Sequence, residues 1–197
     1  VFDTTAGIKI DMPLEMVELD RYEPPFAHFK SRNGSGVRAL LISQSGDDAT
    51  LRGLYDIMQT LEIVPFDGPR EIGRNSFTLV GENAKIYSYT YAALKNGHVK
   101  GFTLIWPAGD NKRRDLVVSE MRARFEPLAD SVLPDVYGDP NAAQSVDLLA
   151  GLTIRRPDLA RTGFFVDSNG AVLTTSEVIG SCDQVTIDEE FPADVVA

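Results

Sequence analysis

The chain has 197 residues, 43% of them apolar and 24% charged, with a net charge of −10 at neutral pH. That is material for one large or two small globular domains, and a surface this acidic repels phosphate backbones, which argues against nucleic acid as a partner. No apolar run approaches the ~20 residues that a bilayer-spanning helix needs.

From the start of the chain, Gly7-Ile8-Lys9-Ile10-Asp11-Met12 alternates apolar and polar residues, as a half-buried strand does. Phe26 to Lys30 and Val37 to Ser43 read as two further strands, joined across Arg32-Asn33-Gly34-Ser35-Gly36, a hairpin turn signal. Asp47-Asp48 offers an N-cap, and Leu51, Leu54, Met58 and Leu61 then fall at spacings of three and four, one apolar stripe of a helix. Phe77 to Val80 adds an antiparallel strand.

Asn96-Gly97 is the strongest local signal, because a two-residue type I′ hairpin needs positive φ at both central positions. Counting outward from it pairs Lys95 with His98. Tyr91 then meets Phe102, Tyr89 meets Leu104 and Tyr87 meets Trp106 on one face. Leu94 with Val99, Ala92 with Gly101, Thr90 with Thr103 and Ser88 with Ile105 share the other. The aromatic face is the one helices should cover. After Trp106, Asp110 is expected to cap a second helix with Val117, Met121, Phe125 and Leu128 as its buried stripe, and Glu120 and Arg124 form a favourable i,i+4 pair.

These elements predict an α+β unit over residues 1–128, an antiparallel β-sheet meander covered by two main helices. Pro127, Pro134, Gly138 and Pro140 with several aspartates then break regular structure, so 129–151 reads as a linker. Residues 152–197 read as a C-terminal β-hairpin segment. Val1, with no initiator Met and no signal-like segment, predicts a processed product, and Asp194-Val195-Val196-Ala197 reads as the approach to a further strand of a longer polypeptide.

The element order of residues 1–128, with the run Val99-Lys100-Gly101-Phe102-Thr103-Leu104-Ile105-Trp106 before a helix, resembles the PsbP-like fold, shared by the Ran-binding Mog proteins. The resemblance implies a non-enzymatic binding or assembly module, and it transfers no functional residue, because no binding motif matches position by position. Thr162-Gly163-Phe164-Phe165-Val166-Asp167-Ser168-Asn169-Gly170-Ala171-Val172-Leu173-Thr174-Thr175-Ser176-Glu177-Val178-Ile179 resembles the opening of a trypsin-like peptidase domain of the HtrA/Do type. In that family the catalytic histidine falls where this chain has Glu177. A carboxyl with an ordinary pKa of about 4.3 is a poor base and then acid at neutral pH, so the resemblance implies a degenerate peptidase segment.

Elsewhere the chain offers little chemistry. His28 reads as a half-exposed strand residue and His98 as a hairpin-flanking one, neither with a metal-ligand partner at local spacing. There is no Walker loop, GxGxxG, HExxH or CxxC motif, and no cofactor is expected. Asp135, Asp139 and Asp147 do not match an EF-hand loop and read as a solvated acidic segment, as does Asp188-Glu189-Glu190. Cys182, the single cysteine, is either a small buried apolar residue or the partner of a cysteine in a missing C-terminal part. Lys112, Arg113 and Arg114 oppose the dipole of a helix start, and they are either solvated or a contact for an anion or acidic partner, with Arg155-Arg156 a second such patch. Tyr87, Tyr89 and Tyr91 are either core or the floor of a ligand or peptide groove.

The favoured expectation is a non-catalytic binding, regulatory or assembly module of a larger trypsin-like pseudopeptidase, periplasmic or secreted as many HtrA-type proteins are. A protein or peptide partner is possible on that reading, and the rest of the parent polypeptide would pack on 152–197. Two alternatives stand beside it. One is a fragment of an active serine-type hydrolase with a rearranged site, and the other is a small-ligand carrier using the aromatic sheet face.

Overall fold

A computed structural model describes residues 1–128, 131–134, 148–157, 159–178, 185–187 and 191–196. The chain divides into two units, Val1–Ile154 and Arg155–Ala197. In the first, β1 (Phe2–Asp3) and β2 (Ile8–Lys9) precede β3 (Val17–Glu23), β4 (Phe26–Ser31) and β5 (Arg38–Ser45). Helix α1 (Asp48–Gln59) leads to β6 (Arg70–Ile72), β7 (Ser76–Glu82), β8 (Ile86–Lys95) and β9 (His98–Pro107), followed by α2 (Asn111–Ala123) and β10 (Glu126–Pro127). The unit closes with a small hairpin of β11 (Leu148–Leu149) and β12 (Leu152–Thr153).

Seven strands form one antiparallel sheet in the order β3-β4-β5-β9-β8-β7-β6. Two meanders run inward from opposite edges and meet where β5 pairs with β9, and α1 makes the crossover between them. Asn96 and Gly97 take φ of 53° and 75°, closing β8 on β9 in the register counted from the sequence, from Lys95↔His98 out to Tyr87↔Trp106.

Each face of the sheet carries its own core. Toward α1 lie Phe26, Leu40, Ile42, Phe77, Leu79, Val99 and Ile105, met by Leu51, Leu54 and Met58 of the helix. Burying each of those three helix side chains is worth roughly 1.5–3 kcal/mol. Asp47 caps α1 reciprocally with Thr50: its carboxylate accepts from the Thr50 amide at 3.1 Å, and the Thr50 hydroxyl accepts from the Asp47 amide at 3.2 Å. Toward α2 lie Phe29, Leu41, Phe102, Leu104 and Trp106, met by Met121, Ile8, Ile10 and Leu133.

The expectation of an α+β domain whose sheet is covered by two main helices is overturned. Strand residues make up 43% of the described residues and helices 16%, so the architecture is mostly β. The reason is width. Seven strands about 4.8 Å apart span roughly 29 Å, whereas one helix is about 10 Å across. With one short helix on each face, the small sheet β1-β2-β10, the segment Leu61–Val64 and Leu152 bury what the helices leave open. Only Ile8–Lys9 of the alternating N-terminal stretch is laddered, although Ile8, Ile10 and Met12 are all buried as the alternation requires. Helix α2 also departs from expectation at its start, since Asp110 sits at φ 47° and makes no side-chain cap bond. Its end departs too: Phe125 and Leu128 follow the helix rather than continuing its stripe.

The first unit reaches past residues 129–147 to Ile154. Leu152 is buried against the α1 core and Ile154 bridges to Leu61. In the second unit, β13 (Phe164–Phe165) pairs with β14 (Val172–Leu173), a 3-10 turn covers Ser176–Val178, and β15 (Val185–Ile187) pairs with β16 (Phe191–Ala193). Phe164, Phe165 and Leu173 there are 64–70% exposed, so this hairpin buries little apolar surface. Among the described residues no helix is long and apolar enough to cross a membrane.

Lys100, on β9, is fully buried, and its ammonium donates to the carbonyls of Ala6 (3.0 Å), Gly7 (2.9 Å) and Ser131. It ties the N-terminal segment and the stretch after α2 to the central strand. Lys100→Met would remove the ammonium from all three, but Ala6 still accepts from the Ser43 hydroxyl at 2.6 Å and Gly7 from the Leu128 amide at 2.9 Å, so the Ser131 carbonyl is the group most deprived, at about 1–3 kcal/mol if left unsatisfied. The expected loss is about 1–3 kcal/mol, a fall in Tm of about 2–12 °C for a domain this size, and urea and thermal denaturation check it.

Candidate functional site

Tyr87, Tyr89 and Tyr91 alternate along β8 on the α2 face, opposite Trp106, Leu104 and Phe102 of β9. The β9 residues are buried, but the three tyrosines are only half-buried, so the row is neither sealed core nor open surface. The cause is visible in β7, where Phe77 and Leu79 turn inward toward α1 while Thr78 and Val80, half-buried, lie beside Tyr91 and Tyr89 on the α2 face. Among the described residues, neither α1 nor α2 includes a residue paired with or packed on Thr78 and Val80 in the α2-side core.

Helix α2 runs along the row, and two of its arginines lie on the rings. The Arg114 guanidinium carbon is 3.9 Å from the Tyr87 ring centroid and that of Arg122 is 3.6 Å from the Tyr91 centroid. The match follows from rise per residue: eight helical residues span about 12 Å and four strand residues about 13 Å. Tyr91 also meets Phe125 edge-on at 5.8 Å and Phe102 at 6.4 Å, which fixes its plane. Burial pushes the Tyr87 and Tyr89 phenols above the ordinary tyrosine value, against the opposing charges of Arg114 and Arg122 respectively.

The cationic run 112–114 does not act as one patch. Arg114 turns in and is buried, with Nε 2.9 Å from Asp115 and Nη1 3.3 Å from both Glu82 and Asn111. Arg113 is exposed and reaches Glu15 at 3.4 Å, while Lys112 is exposed. Arg122 was not anticipated from the sequence. Its signal was there in its position eight residues beyond Arg114, which returns it to the tyrosine side of the helix two turns on.

His28 is buried rather than half-exposed, 8% accessible, and its Nε2 donates to the Ala150 carbonyl at 3.0 Å. Burial pushes its pKa below the ordinary histidine value, and the nearby Arg21 charge adds to this. His98 flanks the hairpin turn as expected, with Nδ1 buried and unbonded among the described residues. Glu177 lies exposed on the 3-10 turn, its carboxylate 3.3 Å from Arg161 Nε. The β13–β14 turn is held by Asp167, whose carboxylate accepts from the Asn169 and Ala171 amides at 2.8 and 2.9 Å and is kept below the usual carboxylate range by them.

Among the described residues no group of three or more His, Cys, Asp or Glu side chains is placed to hold a metal. Asp135, Asp139, Asp147, Cys182 and Asp188-Glu189-Glu190 lie outside the described residues. Set against family models and curated proteins, the chain matches none.

His28 titration gives a signed stability prediction. Its native pKa lies below the unfolded value of 6.5, so the unfolded chain takes up the proton first. This contribution to stability is therefore fully present above about pH 6.5, declines as pH falls toward the native value and is level below it. His28→Gln should lower stability at pH 7.5 by about 1 kcal/mol and flatten that decline. Urea titrations at a series of pH values read both effects, and an unchanged slope in the variant would remove His28 as the cause.

Proposed function

We propose that this chain is a non-catalytic binding or assembly module of a larger trypsin-like pseudopeptidase polypeptide, working in the periplasm or outside the cell. The observation that carries the reading is the half-open row Tyr87, Tyr89 and Tyr91 with two guanidinium groups laid across it. Rigid aromatic rings give large contact area at low entropy cost and arginines stack on them while presenting a planar set of donors, which is why both concentrate where proteins bind peptides and one another. A sheet serving only as a scaffold has no need to leave such rings uncovered.

The pseudopeptidase half of the reading is supported by residues 162–179. The strand pair β13–β14 leads into a turn where the resembled family carries its histidine, and here Glu177 is engaged by Arg161. With its carboxylate held by Arg161, Glu177 does not supply the two-nitrogen imidazole that takes up a proton at one ring atom while the other is oriented by a partner. His28 is no substitute, since its Nε2 is committed to the Ala150 carbonyl. Phe164, Phe165 and Leu173, all exposed, supply a surface on which the rest of a parent polypeptide would pack.

The test is selection of displayed random octapeptides on the immobilised full chain and on Tyr89→Ala, which keeps the strand but removes the ring at the centre of the row. Peptides enriched on the wild type and reduced about tenfold in recovery on the variant are the expected result. The reading is lost if nothing is enriched over an unrelated protein, or if the chain turns over peptide or ester substrates and a serine-directed inhibitor abolishes that turnover.

A further inference from the structure

The two arginines on the tyrosine row differ in one respect. Arg114 is compensated by Asp115 and Glu82. Arg122 has no ion-pair partner among the described residues. The acids nearest it along α2 and β10 are engaged elsewhere, since Glu120 pairs with Arg124 at 3.9 Å and Glu126 with Lys9 at 2.9 Å. Across the row, Thr78 and Val80 of β7 are uncharged, and the closest acid by register on that face is Glu71, which pairs with Thr78 on the edge strand β6 and is exposed. Arg122 is thus a guanidinium laid on a ring with no carboxylate against it among the described residues.

We infer that Arg122, stacked on Tyr91 beside Tyr89 and Thr78, is the anchor for a carboxylate of a bound peptide. This rests on the tyrosine row being a peptide-binding surface. Three observations narrow the ligand to that chemistry. The ring occupies one face of the guanidinium and the Tyr89 hydroxyl lies against part of its edge, and the remaining N–H groups form a planar fork that matches a carboxylate. The surrounding negative field favours a single charge over a multiply charged phosphate or a polyanion. The half-open margin of the row from Tyr87 to Tyr91 is about 13 Å long, the length of four extended residues, and it is lined by aromatic side chains with Thr78 and Val80 of β7. The ligand is therefore a short extended segment with an aromatic or aliphatic residue on Tyr89 and an acidic side chain or a free C-terminal carboxylate on Arg122.

The experiment repeats the octapeptide selection on the full chain, on Arg122→Gln and on Arg122→Lys, with Lys112→Gln as a control exposed on the same helix. Enrichment of Asp, Glu or a terminal carboxylate beside an apolar residue is expected on the wild type and on the control. That preference should vanish on Arg122→Gln, with about a tenfold or greater loss of affinity for a selected peptide, and survive only in part on Arg122→Lys, which keeps the charge without the fork. Replacing the selected acid by its amide should cost the wild type as much as the arginine substitution and cost Arg122→Gln nothing. If peptides are enriched through Tyr89 with no preference for a carboxylate, or with the same preference on Arg122→Gln, the anchor is overturned while the binding surface stands. If inorganic phosphate displaces the peptide better than acetate at equal concentration, the anion class is wrong. If nothing is enriched on any form, both the anchor and the surface fall. Melting temperatures within a few degrees of wild type establish that the exposed substitutions leave the fold intact.

Discussion

The register of the β8–β9 hairpin is the constraint from which the rest of the first unit follows. Its turn admits only residues that accept positive φ at two consecutive positions, and Asn96-Gly97 meets that demand. A slip of one residue in either strand would exchange its two faces. Phe102, Leu104 and Trp106 would then leave the α2 core, and Lys100 would lose its place under the N-terminal carbonyls. Each matched cross-strand pair contributes about 0.2–1 kcal/mol, small singly but consistent over ten rungs. Because β9 also pairs with β5 over eight residues, the register set by the turn is transmitted to the opposite meander.

The parts of the fold legible in the sequence are those governed by local rules. Turn chemistry placed both long hairpins, and a three-four spacing with Asp47 before it placed α1. What was not legible depended on distant geometry. Nothing in the stripe of α2 says that one helix covers only about a third of a seven-stranded sheet, so the balance between helix and strand was misjudged. Asp110 has the composition of a cap, yet the chain enters α2 through a left-handed conformation at this residue and its carboxylate makes no bond to the helix amides. His28 alternates correctly with its neighbours, but its burial depends on Ala150, 122 residues away.

The candidate site divides the same way. Strand alternation alone puts the three tyrosines together, whereas whether they are sealed hinges on β7 and on where α2 stops. The cationic run Lys112-Arg113-Arg114 looked like a unit because it is contiguous, but a helix sends consecutive residues in three directions about 100° apart. Only Arg114 reaches the sheet, and it arrives already neutralised. The residue that completes the row is Arg122, invisible in a search for charge clusters because it stands alone in sequence and joins Arg114 only through the pitch of the helix.

The outer strand β3 bears on how any partner could approach. Glu18, Asp20, Arg21 and Glu23 crowd seven residues, Asp20 and Arg21 pair at 2.7 Å, Lys30 reaches across to Asp20 at 3.2 Å, and a bulge interrupts the ladder between Leu19 and Arg21. The opposite margin, β6, is three residues long. An incoming chain that tried to extend the sheet sideways would meet a kinked, charge-studded rail on one flank and almost no ladder on the other. Association by added strand is thereby discouraged at both flanks, and so is self-propagating stacking of copies. Whatever this sheet engages has to settle onto its broad side.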